Sequence, residues 1–366
     1  MLRVSRLAPV MLMLFSGLCW SGLAQTGEPQ SRPGQDDRYR ILANKSATLV
    51  DQGDMPALAA HLQSLKADPA LDNASKERLL RGTLLALGDL EPDASAVAEV
   101  RALTSYQSTA RMPWTEHGRT GSFLIADVAA AARFTELRWQ ETAARKSASD
   151  AISGADNAVI ELYVGGSASE RTGIEEAFAA ASPDSLANFV GELDFRLGQG
   201  DSVTGIARIA AIATRNSDLL GSVINHSTPE DAVQTIVLLD TQDWGLEALP
   251  VLEIGVNRQE TASASLLKMG AFVSTDPDAR RIVLDALGGP HGASAAAALA
   301  RANETAILDQ LATLLNTSGD ELTRRHALLG LRLADSDRAR THLRSFVKQA
   351  DAPPALVAEV PTWLQD

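Results

Sequence analysis

A recurrence near 30 residues constrains this chain more than any other feature. Ala210, Leu238, Leu267, Leu299 and Leu331 fall at similar points of successive amphipathic segments, at intervals of 28, 29, 32 and 32 residues. The segments 186–197, 203–213, 232–239, 246–256, 262–273, 279–287, 293–302, 307–315, 322–333 and 339–347 all carry apolar residues with helical period. Each is only a few turns long, and a pair of such helices cannot bury both apolar faces by itself. Neighbouring pairs must therefore stack, one antiparallel pair per repeat. Three starts are marked by an N-cap residue followed by proline: Ser182-Pro183, Thr228-Pro229 and Asp276-Pro277.

The last units carry the pattern most clearly, as in Arg324-Arg325-His326-Ala327-Leu328-Leu329-Gly330-Leu331 followed by Asp335-Ser336-Asp337. This stretch resembles the HEAT-like repeat superfamily in its short-helix form. The resemblance runs clearly over 182–350 and weakly over 37–181. It implies an all-α fold, an α-solenoid of antiparallel helix pairs, with 182–366 as HEAT-like repeats. Its degenerate motifs speak to fold and hardly to function. A tetratricopeptide array would need a Trp/Gly/Tyr signature within 34 residues, which is missing.

The N-terminus reads as a different kind of segment. Arg3 and Arg6 precede an apolar run from Leu7 to Leu18, and Gly22-Leu23-Ala24 follows as a small-x-small site. Charge, apolar core and small residues in that order predict a secretory signal over 1–24. The run is shorter than the roughly 18 apolar residues of a permanent anchor. Leu18 directly before Cys19 fits a lipoprotein signal poorly. Residues 25–36 are polar, with Pro and Gly and no apolar period, and read as a flexible leader.

From Asp37 the helical period begins, and 37–181 reads as a helical N-terminal region with irregular repeats. Leu58, Leu62 and Leu65 share one face, Leu80, Leu84 and Leu87 another, and Gly88 marks a stop. The stretch 111–122, with Pro113 and two glycines, reads as the one long irregular connection. Residues 158–164 are strand-like in composition, but a single short run makes no sheet, and they are read as a buried helix.

Charge and composition narrow the partners. The chain carries a net charge of −13, and loss of the two leader arginines would make it more acidic still. Such a chain repels phosphate backbones and anionic membranes, so no nucleic-acid partner and no stable membrane insertion after signal cleavage are expected. The single cysteine, Cys19, would leave with the signal, so cohesion must come from burial. Arginine outnumbers lysine 27 to 6, which with the short signal suggests a GC-rich bacterium and a periplasmic or secreted product. In that setting the sequons beginning at Asn44, Asn73, Asn225, Asn303 and Asn316 are accidental.

Recognisable catalytic signatures are missing. No H-x-x-x-H or H-E-x-x-H pairs the six histidines, no G-x-S-x-G elbow occurs, and no Gly-rich phosphate cradle is present. No metal site and no cofactor are expected. Two candidate contact sites remain. Trp114, Glu116, His117 and Arg119 gather an aromatic, a carboxylate, an imidazole and a guanidinium in one connection. Arg208, Lys268, Arg301 and Arg332 recur at the repeat period, with Gln234 in the unit between, and would form a basic ladder for an acidic partner surface. The expectation is an exported scaffold or protein-binding module whose partner is another envelope protein. The alternative is an envelope-acting hydrolase or lyase with its site near 112–119, which needs a concave pocket and a third titratable group.

Overall fold

Caps and apolar stripes determine where each helix of this chain starts and what it buries. The computed structural model describes residues 35–117, 119–349 and 352–363. The signal segment 1–24, and the leader up to residue 34, lie outside the described residues. Two compact units divide at Glu136, the second beginning at Leu137.

The first unit holds α1 (Gln35–Gln52), α2 (Met55–Ala67), α3 (Asn73–Leu87), α4 (Ala94–Leu103), β1 (Arg111–Glu116), β2 (Arg119–Leu124) and the start of α5 (Val128–Ser153). Asp54, Asp72 and Asp93 cap α2, α3 and α4, each accepting a backbone N–H of the first turn. α2 packs on α1, α3 and α4, and α1 packs on α3. Leu58, Leu62, Leu65, Leu80, Leu84 and Leu87 are fully buried there, as their spacing requires.

The second unit continues with α6 (Ala158–Gly165), α7 (Ala168–Ala180), α8 (Pro183–Ala187), α9 (Val190–Gln199), α10 (Thr204–Thr214) and α11 (Ser217–His226). After these come α12 (Pro229–Leu238), α13 (Thr241–Trp244), α14 (Ala248–Val256), α15 (Ala262–Met269), α16 (Pro277–Asp285) and α17 (Gly292–Ala302). α18 (Thr305–Thr317), α19 (Glu321–Ala334), α20 (Asp337–Val347) and α21 (Pro354–Trp363) complete it. One apolar cluster runs from Ala148 to Val360. Ser182, Thr228 and Asp276 are N-caps with proline in the first turn, as read from sequence. Residues 158–164 are helical, with Val159, Ile160 and Tyr163 buried. The chain is all-α in class.

Three expectations need correction. The stretch 111–122 is no irregular connection: it belongs to an antiparallel β-hairpin of β1 and β2, and the next helix, α5, starts at Val128. α11 occupies 217–226, a stretch that the segment boundaries left unassigned, and it packs on α9, α10, α12 and α14. Leu238 is exposed, because α12 turns Thr235 and Ile236 inward with Leu239 just beyond its end.

A recurrent device ties helix ends together. Arg171 donates to the carbonyls of Tyr163 and Val164 at 3.1 and 3.0 Å. Arg280 ties the turn between α15 and α16 in the same way, through Val273 and Ser274 at 2.7 and 3.1 Å, and Arg258 holds Ile224 and Ser227 at the end of α11. Arg324 reaches Leu315 at 3.0 Å and Lys268 reaches Leu239 at 2.7 Å. The last carbonyls of a helix have no partner within it, and a cation supplies both the donor and the favourable charge.

Candidate functional site

Trp114, Glu116, His117 and Arg119 lie on the hairpin. Its register pairs Glu116 with Arg119, Trp114 with Gly121 and Met112 with Phe123, so these six residues lie on one face. Beyond Glu116 the chain turns through His117, which takes φ +50°, in the left-handed region. Pro113 does not break the strand, because its position needs no ladder N–H. The Trp114 indole lies against Gly121: a Cβ there would be 2.6 Å from Nε1. Trp114 is still 40% exposed and Phe123 50%.

The hairpin is held at its base by a residue that the sequence did not single out. Glu77, fully buried on α3, accepts the Thr109 N–H at 2.7 Å and the Ala110 N–H at 3.2 Å. Thr109 Oγ1 also donates to it at 3.3 Å, and Asn73 donates to that hydroxyl at 3.0 Å. One turn of α3 thereby fixes the chain's entry into β1. Local sequence carries no hint of this, since the partners are 32 and 33 residues apart.

Glu116 and His117 stand side by side, 3.8 Å apart, with side chains 71% and 89% exposed. They form an open pair at a hairpin tip rather than the wall of a pocket. Arg111 and Arg119 are exposed and have no hydrogen bond or ion pair among the described residues.

The ladder residues divide by role. Arg208 is mostly buried, donates to Gln234 at 3.1 Å and lies 3.7 Å from Asp231, which ties α10 to α12. Lys268 ends on the Leu239 carbonyl, which ties α15 to the end of α12. Arg301 and Arg332 are exposed. Arg208 and Lys268 are therefore engaged within the fold, and the four do not form one free basic strip.

A groove of about 340 Å³ lies between α1 and α3, lined by Tyr39, Ser46, Asp51, Arg78 and Thr83 among others. Ser46 Oγ is 3.0 Å from His61 Nε2, and Thr83 Oγ1 donates to Ser46 at 2.9 Å while also 2.9 Å from the Leu79 carbonyl. Burial, and then the nearby Lys45 charge, push the His61 imidazole below its usual range, so it sits neutral. The serine is in mid-helix, where backbone N–H groups are committed to the ladder and none can stabilise an oxyanion. The trio is a core hydrogen-bond chain that joins α1, α2 and α3.

Among the described residues, no group of three or more His, Cys, Asp or Glu side chains is arranged to hold a metal ion. No helix among them is long and apolar enough to cross a membrane. No family model, curated protein or solved structure matches the chain.

Proposed function

We propose that the chain is an exported scaffold of the bacterial envelope, a HEAT-like α-solenoid that binds another protein through its hairpin. The observation that carries this reading is the hairpin itself. It presents Met112, Trp114 and Phe123 on one face beside an uncommitted Arg119, anchored by a buried carboxylate. Exposed aromatics with an arginine are the composition of contact hot spots, and a firm base keeps the entropic cost of binding low.

Helix order in the second unit supports the solenoid. With α11 in place the helices read as successive pairs: α9 and α10, α11 and α12, α14 and α15, α16 and α17, α18 and α19, α20 and α21. One row packs as α12 on α15, α15 on α17, α17 on α19 and α19 on α21, and α9, α11 and α14 begin a second row. Stacked pairs of this kind form a rigid platform. The export reading rests on the order of residues in 1–24.

The test is affinity capture from the native envelope with the full chain and its Trp114→Ala and Arg119→Glu variants. A specific partner that is lost with either variant supports the reading. Identical capture by all three removes the hairpin from it. The hydrolase or lyase alternative needs Glu116 and His117 enclosed with a third titratable group, and their open position speaks against it.

A further inference from the structure

The backbone of β2 carries information that its side chains do not. In a hairpin with a two-residue connection the closing pair, here Glu116 and Arg119, exchanges both ladder hydrogen bonds, and alternate pairs follow. The bonded pairs are then 116/119, 114/121 and 112/123, and the Ile125 N–H bonds to the Ala110 carbonyl at 2.9 Å in the same phase. The peptide groups of Arg111, Pro113 and Thr115 therefore face outward from β1, and those of Thr120, Ser122 and Leu124 outward from β2. Proline blunts the first edge, since the outward N–H at 113 does not exist. The second edge has no such protection: Thr120 and Ser122 are exposed.

We propose that this open edge of β2 receives an extended acidic segment of the partner protein, which adds as a third strand. This rests on the reading of the hairpin as the contact surface. Main-chain bonds at 120, 122 and 124 supply the pairing. Alternate side chains of the incoming strand lie beside Gly121 and Phe123 on the face that carries Trp114. Arg119, on that face at the start of β2 and without a partner among the described residues, selects carboxylates. A second copy fits less well, because it would bring together two bodies of net charge −13 with the same cations at the seam. An anionic bilayer offers no ordered row of main-chain acceptors for the outward N–H groups.

A displayed library of random peptides about twelve residues long, panned on the full chain, tests this directly. The expected binders alternate β-branched residues with Asp or Glu. Ser122→Pro, which removes one outward N–H, should weaken a synthetic binder at least about tenfold, and Ser122→Ala should not. Thr120→Pro serves as the second edge variant, and retention of the Trp114 indole resonance certifies an intact hairpin in each. Binding that survives both proline variants overturns the inference. So does a library without hairpin-dependent binders, or hairpin-dependent binding to vesicles of phosphatidylcholine and phosphatidylglycerol that such peptides fail to displace. A native partner that is lost with Trp114→Ala but kept with Ser122→Pro leaves the scaffold reading standing and removes only the edge.

Discussion

Replacing Glu77 by alanine tests how the hairpin is held. The carboxylate accepts two backbone N–H groups, and bonds to a charged acceptor contribute about 1.5–3 kcal/mol each. Thr109 is exposed, so water takes over part of its bond, and a local loss of about 2–3 kcal/mol is reasonable. Global stability will move less. Removing a buried charge also removes its desolvation penalty, and alanine gains about 0.5 kcal/mol of helix propensity in α3. Melting temperature is therefore the wrong observable. The informative one is amide exchange at Thr109 and Ala110 under native conditions, where 2–3 kcal/mol of easier opening means roughly 30- to 150-fold faster exchange. Glu77→Gln keeps the shape and one acceptor oxygen, and should fall between. Unchanged exchange at both amides in Glu77→Ala would show that the carboxylate does not hold the hairpin, and the rigid-base argument would go with it.

Other consequences are equally concrete. Gly121→Ala puts a Cβ 2.6 Å from the Trp114 Nε1, so the indole must swing away; its N–H resonance should shift, and an unmoved resonance contradicts the stacked geometry. Gly205→Ala places a Cβ 2.1 Å from a Glu175 carboxylate oxygen and 2.4 Å from the Tyr163 hydroxyl, whose bond to each other is 2.5 Å. A loss of about 1–3 kcal/mol is expected in urea unfolding, and a silent substitution would refute the close approach. The His61 imidazole is lowered by burial, so the unfolded chain binds its proton first as pH falls. Its contribution to stability is complete above about pH 6.5 and is lost as pH drops from there toward the folded-state value; an NMR titration midpoint at or above 6.5 would reverse that sign. Lys268→Glu should destabilise the second unit by about 1–3 kcal/mol through the lost bond to Leu239, while the exposed Arg301→Glu should leave the unfolding midpoint nearly unchanged.

Periodicity and caps made most helices legible, because they are local properties of the chain. Ser182, Thr228 and Asp276 could be assigned on sight, since each accepts its bond from three residues onward. α11 was hidden by Gly221 in its middle, which reads as a breaker yet serves close packing: a Cβ there would meet Ile254 Cδ1 at 2.6 Å. The hairpin was hidden by Pro113, whose harmlessness depends on which edge it faces. Glu77 was hidden by distance along the chain. The ladder was visible as spacing, but spacing could not tell that Arg208 and Lys268 reach across to α12 and its end.

The cationic ties at the helix ends set how the protein responds to its surroundings. With one cysteine in the whole sequence, no internal disulfide can form, so oxidants and reductants have no covalent link to act on. Guanidinium groups keep their charge across the biological pH range, and acid does not loosen them. Their natural competitor is the free guanidinium ion, a chemical copy of the side chain that can dock on the same carbonyls. Guanidinium chloride should then unfold the second unit more effectively, relative to urea, than the usual twofold ratio of slopes would give.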